Sequence, residues 1–317
     1  MSIDNCDSSF RVMTYNIRLN LDEDDQNQWK FRKSHLISLI QDHESDLLGI
    51  QESLSEQVSD LKEALPEFDE YGVGCDEGDN QGEFNTMFYR FTRFELLDKG
   101  TFWFSETPEI PGSKGWDANK TRICSWVKLR DRQTHQSLYY FNTHFDHIGV
   151  TARLESARLL LARIQKIADS SIPVILTGDL NTAPDTDPYH TITTNSSLQD
   201  AINLTETPHD GPNGTWATFS VEENIGDRID YIFVTSQYIR VLKHAILIDS
   251  NNEYYPSDHL PVLAELVIKD DSVPAQNIGV AKHGISSDGD NEYHSSVLTK
   301  LVLKNEDEVD SLFLQSK

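Results

Sequence analysis

The chain has 317 residues, 38% of them hydrophobic and 25% charged, a composition that predicts a soluble globular protein with one large or two ordinary domains. Its 52 acidic and 27 basic residues give a formal net charge of −25 at pH 7, which argues against wide contact with duplex DNA, because phosphate neutralisation supplies much of that affinity. No apolar run approaches the length of a membrane span.

The first part of the chain predicts strands and helices in alternation. Residues 10–19 (FRVMTYNIRL) read as a strand, and the apolar residues of 31–40, beginning at Phe31, have the spacing of a helix. Residues 46–52 (DLLGIQE) form a short apolar run that suits a buried strand. A second helix is predicted to follow and to end at Pro66.

The middle of the chain predicts hairpins. Residues 86–105 and 122–146 are rich in β-branched and aromatic side chains, with Gly, Asp and Gln at the turns. Between them, 106–120 (ETPEIPGSKGWDANK) contains two prolines and two glycines and is predicted to be a loop.

The last part of the chain returns to a helix followed by strands. Residues 151–169 place their apolar side chains on one helical face. Residues 172–181 (IPVILTGDLN) form a continuous apolar strand that ends in polar residues. Three more strands are predicted, in 227–235, 238–249 and 260–268.

This order of elements predicts an α/β (α+β) fold of four layers. Two mixed β-sheets packed face to face, with helices on the outside, bury the apolar faces of all these elements. We expect one domain over residues 9–269. Residues 270–317 are acidic and rich in Gly, Ser and Asn, and they read as a tail or an appended element.

Six predicted strands carry polar residues at an end or edge. The polar residues are Asn16, Glu52, Asn142, His144, Asp146, Asp179, Asn181, Asp230, Asp258 and His259. One such residue would be unremarkable, because buried polar groups are often satisfied by the backbone. Six strand edges that supply Asn, Asp, Glu and His form an oxygen-rich set, which suits a hard cation such as Mg²⁺ better than zinc.

The motifs that carry these residues resemble a known family. TYN, QE, NTH, TGDLN, RIDYIF and SDHLPV occur in the order, and at about the intervals, seen in the endonuclease/exonuclease/phosphatase superfamily, whose fold is similar to that of deoxyribonuclease I. The resemblance covers about residues 10–268. The segment 104–118 (FSETPEIPGSKGWDA) is similar to a compact, mostly bacterial single-domain subgroup.

The resemblance implies hydrolysis of a phosphoester by in-line attack of water, with Mg²⁺ or Mn²⁺ as the cofactor. It implies that Glu52 is the principal metal ligand, with Asn16 and Asp258 beside it. Asp179 would orient or deprotonate the attacking water, and Asn181 would hold a phosphate oxygen.

Three further roles follow from the same resemblance. His259 would contact the phosphate, with Asp230 fixing its tautomer, and His144 would be the second histidine donor. Singly, these residues have structural alternatives. Asp230 could be a buried ion-pair partner, and Asp179 with Asn181 could form an Asx turn.

The loop 106–120 and its surroundings supply candidates for substrate binding. They are Lys114, Trp116, Arg122 and Asn142, with Lys120 close to them and His147, Arg153 and Arg158 as weaker candidates. A Trp can stack on a base or sugar, and an Arg can bind a phosphate through two hydrogen bonds. The alternative is a rigid surface loop in which Trp116 is buried for packing. Glu83 and Asn85 could support His144.

The function predicted from the sequence is a metal-dependent phosphodiesterase or phosphatase acting on a nucleotide, single-stranded RNA or a sugar or lipid phosphate. An endonuclease is one alternative, and residues 90–166 favour it because they hold 13 basic and 8 acidic residues. A catalytically silent binding scaffold is another. No obligate protein partner is indicated. The N-terminal segment lacks a secretory signal, which predicts a cytoplasmic protein, and Cys6, Cys75 and Cys124 have neither disulfide nor metal spacing.

Overall fold

The computed structural model describes residues 8–251 and 253–269. The predicted tail, 270–317, and Cys6 lie outside these residues, so the domain boundary after residue 269 stays a prediction. None of the helices in the described ranges is long and apolar enough to cross a membrane.

The described residues contain twelve strands and four α-helices. In chain order they are β1 (Phe10–Asn16), α1 (Trp29–Asp42), β2 (Leu47–Gln51), α2 (Ser55–Ala64), β3 (Phe68–Tyr71), β4 (Met87–Arg90), β5 (Phe94–Trp103), β6 (Ile123–Asp131), β7 (Ser137–His144), α3 (Val150–Ile167), β8 (Val174–Asp179), α4 (Asp187–Thr194), β9 (Leu198–Asp200), β10 (Asp230–Thr235), β11 (Ile239–Ile246) and β12 (Val262–Ile268).

The strands form two mixed sheets of six strands each. The first has the order β11-β12-β1-β2-β4-β3, and the second has the order β5-β6-β7-β8-β10-β9. Each sheet has one parallel pair at its centre, β1 with β2 and β7 with β8. Their last registered partners are Asn16 with Gln51 and His144 with Asp179, so the carboxyl ends of these four strands carry the predicted polar motifs.

Helices cover the outer face of each sheet, which completes the four predicted layers. In α1, Leu36 and Ile40 follow helical spacing and pack with Met13 of β1 and Leu61 of α2. On the second sheet, buried residues of α3 and α4 pack against β7, β8 and β10. A separate apolar cluster fills the space between the sheets. The predicted α/β/β/α sandwich is therefore confirmed.

A polar layer joins the two sheets beneath the carboxyl ends of their central strands. The side-chain amide of Asn142 donates to the carbonyls of Ile50 (2.9 Å) and Thr86 (3.2 Å) of the opposite sheet. Its oxygen accepts from Gln51 (2.7 Å) and Thr177 (3.1 Å). These bonds satisfy both ends of a fully buried amide and fix how the sheets lie on each other.

Some elements differ from the sequence-based expectation, and the short strands β3 and β9 were not predicted. The predicted first strand, 10–19, ends at Asn16, because Arg18 turns the chain with a left-handed φ of 55°. Helix α4 was not predicted, although it has proline in its first turn, at Pro188, which favours a helix start. Its eight residues, DPYHTITT, have three threonines and low helix propensity, so packing of Tyr189 and Ile192 on the second sheet stabilises it.

Candidate active site

The polar strand ends meet in one cleft at the carboxyl edge of the two sheets. Three residues that leave these strands have left-handed backbone conformations, Arg18 (φ 55°), Glu52 (φ 62°) and Asn181 (φ 48°). None is a glycine, and such conformations cost roughly 1–3 kcal/mol each, so the surrounding structure must hold them. All three residues come shortly after strands that end at the cleft, Arg18 after β1, Glu52 after β2 and Asn181 after β8.

Asp179 lies at the centre of this cleft. Its carboxylate accepts from the side-chain amide of Asn16 (3.0 Å) and from the backbone N–H of Asn181 (2.7 Å). Nε2 of His144 lies 3.3 Å and Nε2 of His259 3.8 Å from its Oδ2 atom. Burial raises the pKa of Asp179 to about 7, and the negative charge of Asp230 adds to the shift.

His259 is held by Asp230. Nδ1 of the ring lies 2.8 Å from Oδ2 of this carboxylate, which leaves Nε2 directed at the cleft. Burial alone would lower the pKa of His259, but the charge and hydrogen bond of Asp230 outweigh it, so that the pKa lies well above its ordinary value. Oδ1 of Asp230 is buried and has no hydrogen-bond partner in the described structure.

Glu52, Asn16 and Asp258 form the oxygen-rich side of the cleft. The Asn16 amide donates to Glu52 (3.1 Å), and its oxygen accepts from the backbone N–H of Arg18 (3.0 Å). The guanidinium of Arg18 lies 3.8 Å from Asp258 and is bound on its other side by Asp24. Burial raises the pKa of Asp258, and the nearby charge of Glu52 also raises it.

Arg32 of α1 holds the backbone segments that carry these oxygen ligands. Arg32 is buried, and its guanidinium donates to the carbonyls of Ile17, Arg18 and Asn27 and to that of Pro256 (3.2 Å). Ile17 directly follows Asn16, and Pro256 lies two residues before Asp258. One buried cation therefore ties the end of β1 to the loop that enters β12.

His144 is held by Arg122 from the side opposite to the cleft. The guanidinium donates to Nδ1 of His144 (2.9 Å) and also binds Glu83. Because a guanidinium can only donate, Nδ1 is an acceptor and Nε2 carries the ring proton, with Oδ2 of Asp179 at 3.3 Å and the side-chain amide of Asn181 at 2.9 Å. Burial lowers the pKa of His144 well below its ordinary value, and the Arg122 charge adds to this. His144 is therefore a neutral donor.

Two carboxylates anchor the loop 106–120 beside this histidine. Asp146 accepts four backbone N–H bonds, from Asn119, Lys120, Ile148 and Gly149. Asp117 accepts from the first turn of α3. The loop is thus fixed to the start of α3.

The structure brings eight of the twelve predicted site residues together. They are Asn16, Glu52, His144, Asp179, Asn181, Asp230, Asp258 and His259. Arg122 is buried behind His144 and does not line the open cleft.

The other predicted residues have different surroundings. Asn142 lies in the layer between the sheets, where its amide is fully bonded. The ammonium group of Lys114 donates to the carbonyl of Asn119 within its own loop (3.3 Å), and Trp116 packs against the apolar cluster under α3. Of the two supporting residues, Glu83 binds Arg122, and Asn85 donates to the carbonyl of Ile123.

Trp216 lies opposite the cleft residue His259, a position that the sequence did not reveal. Its backbone pairs with that of His259 in an isolated antiparallel bridge, and its side chain is 48% exposed. The segment GTWATF has neither a charged residue nor a long strand pattern, and only the bridge to His259 shows where it lies.

The sequence profile of the Endonuclease/Exonuclease/phosphatase family matches residues 13–259, a span that includes all eight converging residues. The chain belongs to this family. As a family member it is a hydrolase that acts on phosphoester bonds, and the resemblance stated from its motifs is confirmed.

Solved family structures match the chain over nearly their whole length. A family protein from Bacteroides thetaiotaomicron is 36% identical, with a TM-score of 0.78, and the match covers 83% of this chain and 98% of that one. A mannosyl-6-phosphatase from the same species is also 36% identical, with a TM-score of 0.76, and the match covers 82% of this chain and 100% of that one. These bacterial matches also bear out the predicted subgroup.

A more distant family member is the exoribonuclease subunit Ccr4 of the CCR4-Not complex from Aspergillus niger. It is 23% identical over 314 residues, and the match covers 76% of this chain and 48% of the relative. The chain spans about half the length of the curated relatives of this kind that it matches.

Proposed function

We propose that the protein is a divalent-metal-dependent hydrolase of small phosphate esters, with a phosphomonoester of a sugar or nucleotide as its substrate. The observation that carries the proposal is the position of Asp179, a buried carboxylate with a raised pKa that lies within 4 Å of both cleft histidines. Groups with perturbed pKa values that converge in a cleft are typical of catalytic sites.

The oxygen ligands beside Asp179 fit Mg²⁺ or Mn²⁺. Glu52 and Asp258 supply the carboxylate oxygens that these cations prefer, and Asn16 lies beside Glu52, to which its amide donates. Burial is the main cause of the raised pKa of Asp258, and the charge of Glu52 adds to it, so a cation bound beside them would favour the ionised carboxylates. When bound, such a cation neutralises charge on the phosphate and the leaving group.

Asp179 is the residue we assign to the water nucleophile. One of its oxygens is fixed by Asn16 and the other by the backbone of Asn181, so the carboxylate is held in one orientation. A pKa of about 7 lets it accept a proton from water near neutral pH. The strained backbone of Asn181 keeps its side chain on the same side of the cleft.

The two histidines are the residues we assign to the phosphate oxygens. His259 faces the cleft as a cation because Asp230 holds its other nitrogen, and His144 faces it as a neutral donor because Arg122 holds its other nitrogen. A charged and a neutral donor on either side of Asp179 suit a phosphoryl group whose charge increases toward the transition state.

A small substrate is favoured over a polynucleotide. The match to the mannosyl-6-phosphatase covers the full length of that protein at 36% identity. The match to the exoribonuclease covers about half of that protein at 23% identity. The net charge of −25 also repels a chain of phosphates. Hydrolysis of RNA or DNA remains the second candidate, and the basic residues of 90–166 favour it.

The test is turnover of a mixed panel by the purified full chain with Mg²⁺ or Mn²⁺. The panel contains sugar phosphates, nucleoside monophosphates, single-stranded RNA, plasmid DNA and bis-(p-nitrophenyl) phosphate. Controls are EDTA, Asp179→Asn, and Asp42→Asn as a matched change of an exposed carboxylate at the end of α1.

We expect release of phosphate from monoesters that is lost with EDTA and with Asp179→Asn but kept in Asp42→Asn. Cleavage of RNA or plasmid DNA with strong salt dependence would favour the nuclease instead. No turnover of any ester would contradict the proposal and favour a binding scaffold.

A further inference from the structure

Trp216 is placed next to a catalytic group by the backbone. The N–H of Ala217 donates to the carbonyl of Asp258 (2.7 Å), and the N–H of Leu260 donates to the carbonyl of Thr215 (2.7 Å). These two bonds flank the pair formed by Trp216 and His259, which makes it a non-hydrogen-bonded antiparallel pair, the kind in which opposite side chains lie closer. Opposite residues of such a pair project from the same face.

The backbone of Gly226 packs against the indole of Trp216. An added Cβ on Gly226 would lie 2.9 Å from Cε3 of Trp216, so the backbone of Gly226 packs directly against the ring. The N–H of Gly226 also donates to the carbonyl of Trp216 (2.7 Å). Trp216 is still 48% exposed, so part of this residue, which lies opposite His259 in the bridge, is open to solvent.

The charge of the segment around Trp216 restricts what can lie on this surface. Residues 209–227 contain four acidic residues, Asp210, Glu222, Glu223 and Asp227, and no lysine or arginine. A second phosphate group would be repelled here. A neutral ring with hydroxyl donors would not be, and its apolar face could pack on the indole.

We propose that Trp216 is the platform for the ring of the leaving-group alcohol, so that the substrate is a phosphomonoester of an alcohol that contains a furanose or pyranose ring. The inference rests on the proposed function, because it takes His144 and His259 as the phosphate site. A sugar phosphate and a nucleoside 5′-phosphate share this chemistry.

The decisive experiment measures binding, so that its outcome does not depend on turnover. Titration calorimetry on the full chain, in the Asp179→Asn background with Mg²⁺, compares inorganic phosphate, glycerol 3-phosphate, glucose 6-phosphate, ribose 5-phosphate and AMP. Trp216→Ala and Trp216→Phe are introduced into this background, and Phe91→Ala serves as the matched control, since Phe91 is also an exposed aromatic side chain but lies at the opposite end of the first sheet.

We expect the ring phosphates to bind more tightly than inorganic phosphate and glycerol 3-phosphate. Trp216→Ala should raise the Kd of the ring phosphates about 5- to 100-fold, the range expected for the loss of stacking on an aromatic side chain. It should change the Kd of inorganic phosphate and glycerol 3-phosphate less than about 2-fold. Trp216→Phe should restore part of the loss, and Phe91→Ala should have no effect.

If Trp216→Ala weakens the binding of all five ligands equally, or of none of them, Trp216 is not the platform for the ring. Ring phosphates that bind no more tightly than inorganic phosphate would also overturn it. A preference for AMP over both sugar phosphates would assign the platform to nucleotides, and the reverse would assign it to sugars. If the expected differences in Kd are found but no ester is hydrolysed, the proposed hydrolase function is wrong and the proposed ring-binding role of Trp216 is supported.

Discussion

Asp230 holds one carboxylate oxygen 2.8 Å from Nδ1 of His259, while its other oxygen is buried without a hydrogen-bond partner. A buried acceptor left unpaired costs free energy, so the carboxylate is kept for its charge on the ring rather than for its bonding capacity. The charge of Asp230 keeps the pKa of His259 high in spite of burial.

We therefore expect Asp230→Asn to change the pH profile and not only the rate. The amide oxygen can still accept from Nδ1, but without the carboxylate charge the pKa of His259 falls and the imidazolium is lost at lower pH. The alkaline limb of kcat/KM should move to lower pH, with a loss of about 10- to 100-fold at pH 8. A uniform loss at all pH values would contradict this role.

Asp179→Asn should separate activity from stability. The pKa of Asp179 in the fold, about 7, is above the value of about 4 in an unfolded chain, so its ionisation destabilises the metal-free protein as the pH rises from 4 through 7. A neutral amide removes this cost. In EDTA at pH 8 the Tm should equal or exceed that of the wild type, with no such gain at pH 4, while turnover with metal falls about 10²- to 10⁴-fold.

Calorimetric scans at the two pH values check the stability effect. A Tm that is lowered equally at both would show that the hydrogen bonds of Asp179, and not its charge, dominate its contribution.

Arg32→Lys should lower the affinity for the metal, and this loss should not be explained by a lower stability of the fold. Lysine keeps the charge but cannot donate to four carbonyls at once, so the backbone next to Asn16 and Asp258 is less fixed. Changes in residues that support metal ligands typically cost about 10- to 100-fold in metal affinity, and we expect a loss in this range for Mn²⁺, measured by calorimetric titration.

Arg93→Lys is the matched control for Arg32→Lys. Arg93 is also buried and binds backbone carbonyls and a carboxylate, Asp131, but it lies at the other end of the sandwich. It should lower the Tm and leave Mn²⁺ affinity unchanged. Equal losses of affinity in both variants would show that Arg32 acts only through global stability.

Asp146→Asn should remove part of the acid sensitivity of the fold. Burial would raise the pKa of Asp146, but its backbone hydrogen bonds outweigh burial and lower the pKa to about 2. A depressed carboxylate pKa stabilises the fold above the unfolded value of about 4, and this stabilisation is lost as the pH falls through 2. The variant should lose on the order of 2 kcal/mol at pH 7 and much less at pH 2, measured by urea unfolding.

Asp169→Asn is a suitable comparison, because Asp169 also accepts a backbone N–H but is exposed. It should leave the free energy of unfolding almost unchanged at both pH values. A loss in Asp146→Asn that is the same at pH 7 and pH 2 would contradict the assigned role of its charge.

The sequence predicted the layers and the eight converging residues because both depend on where strands end. The predictions of burial were wrong at positions whose surroundings are set by residues distant in the sequence. The helical pattern put Phe31 on the apolar face of α1, yet Phe31 is 64% exposed and Arg32 beside it is buried. Arg32 is buried because it donates hydrogen bonds to the backbone carbonyls of Ile17 and Arg18, and such contacts cannot be read from a sequence pattern.

Asn142 shows the same difficulty. Its motif includes His144, which suggested a substrate contact. The two residues share one face of β7, but His144 ends the strand at the cleft, whereas Asn142 lies deeper, between the two sheets. Trp216 is the converse case, since its motif carries no chemical signature and its position depends on a bridge to a residue 43 positions away.

All strands of the second sheet come from one continuous stretch, residues 94–235, inserted between the strands of the first. Recombination between relatives could therefore exchange this whole stretch with two crossovers, near residues 92 and 237, and so pair the Glu52 half of one protein with the Asp179 half of another. The exchange would transfer the loop 106–120 and Trp216 together while leaving Asp258 and His259 behind. The two sheets of such a chimaera should pack as they do here only if one parent supplies Asn142 and the other supplies a glutamine at position 51.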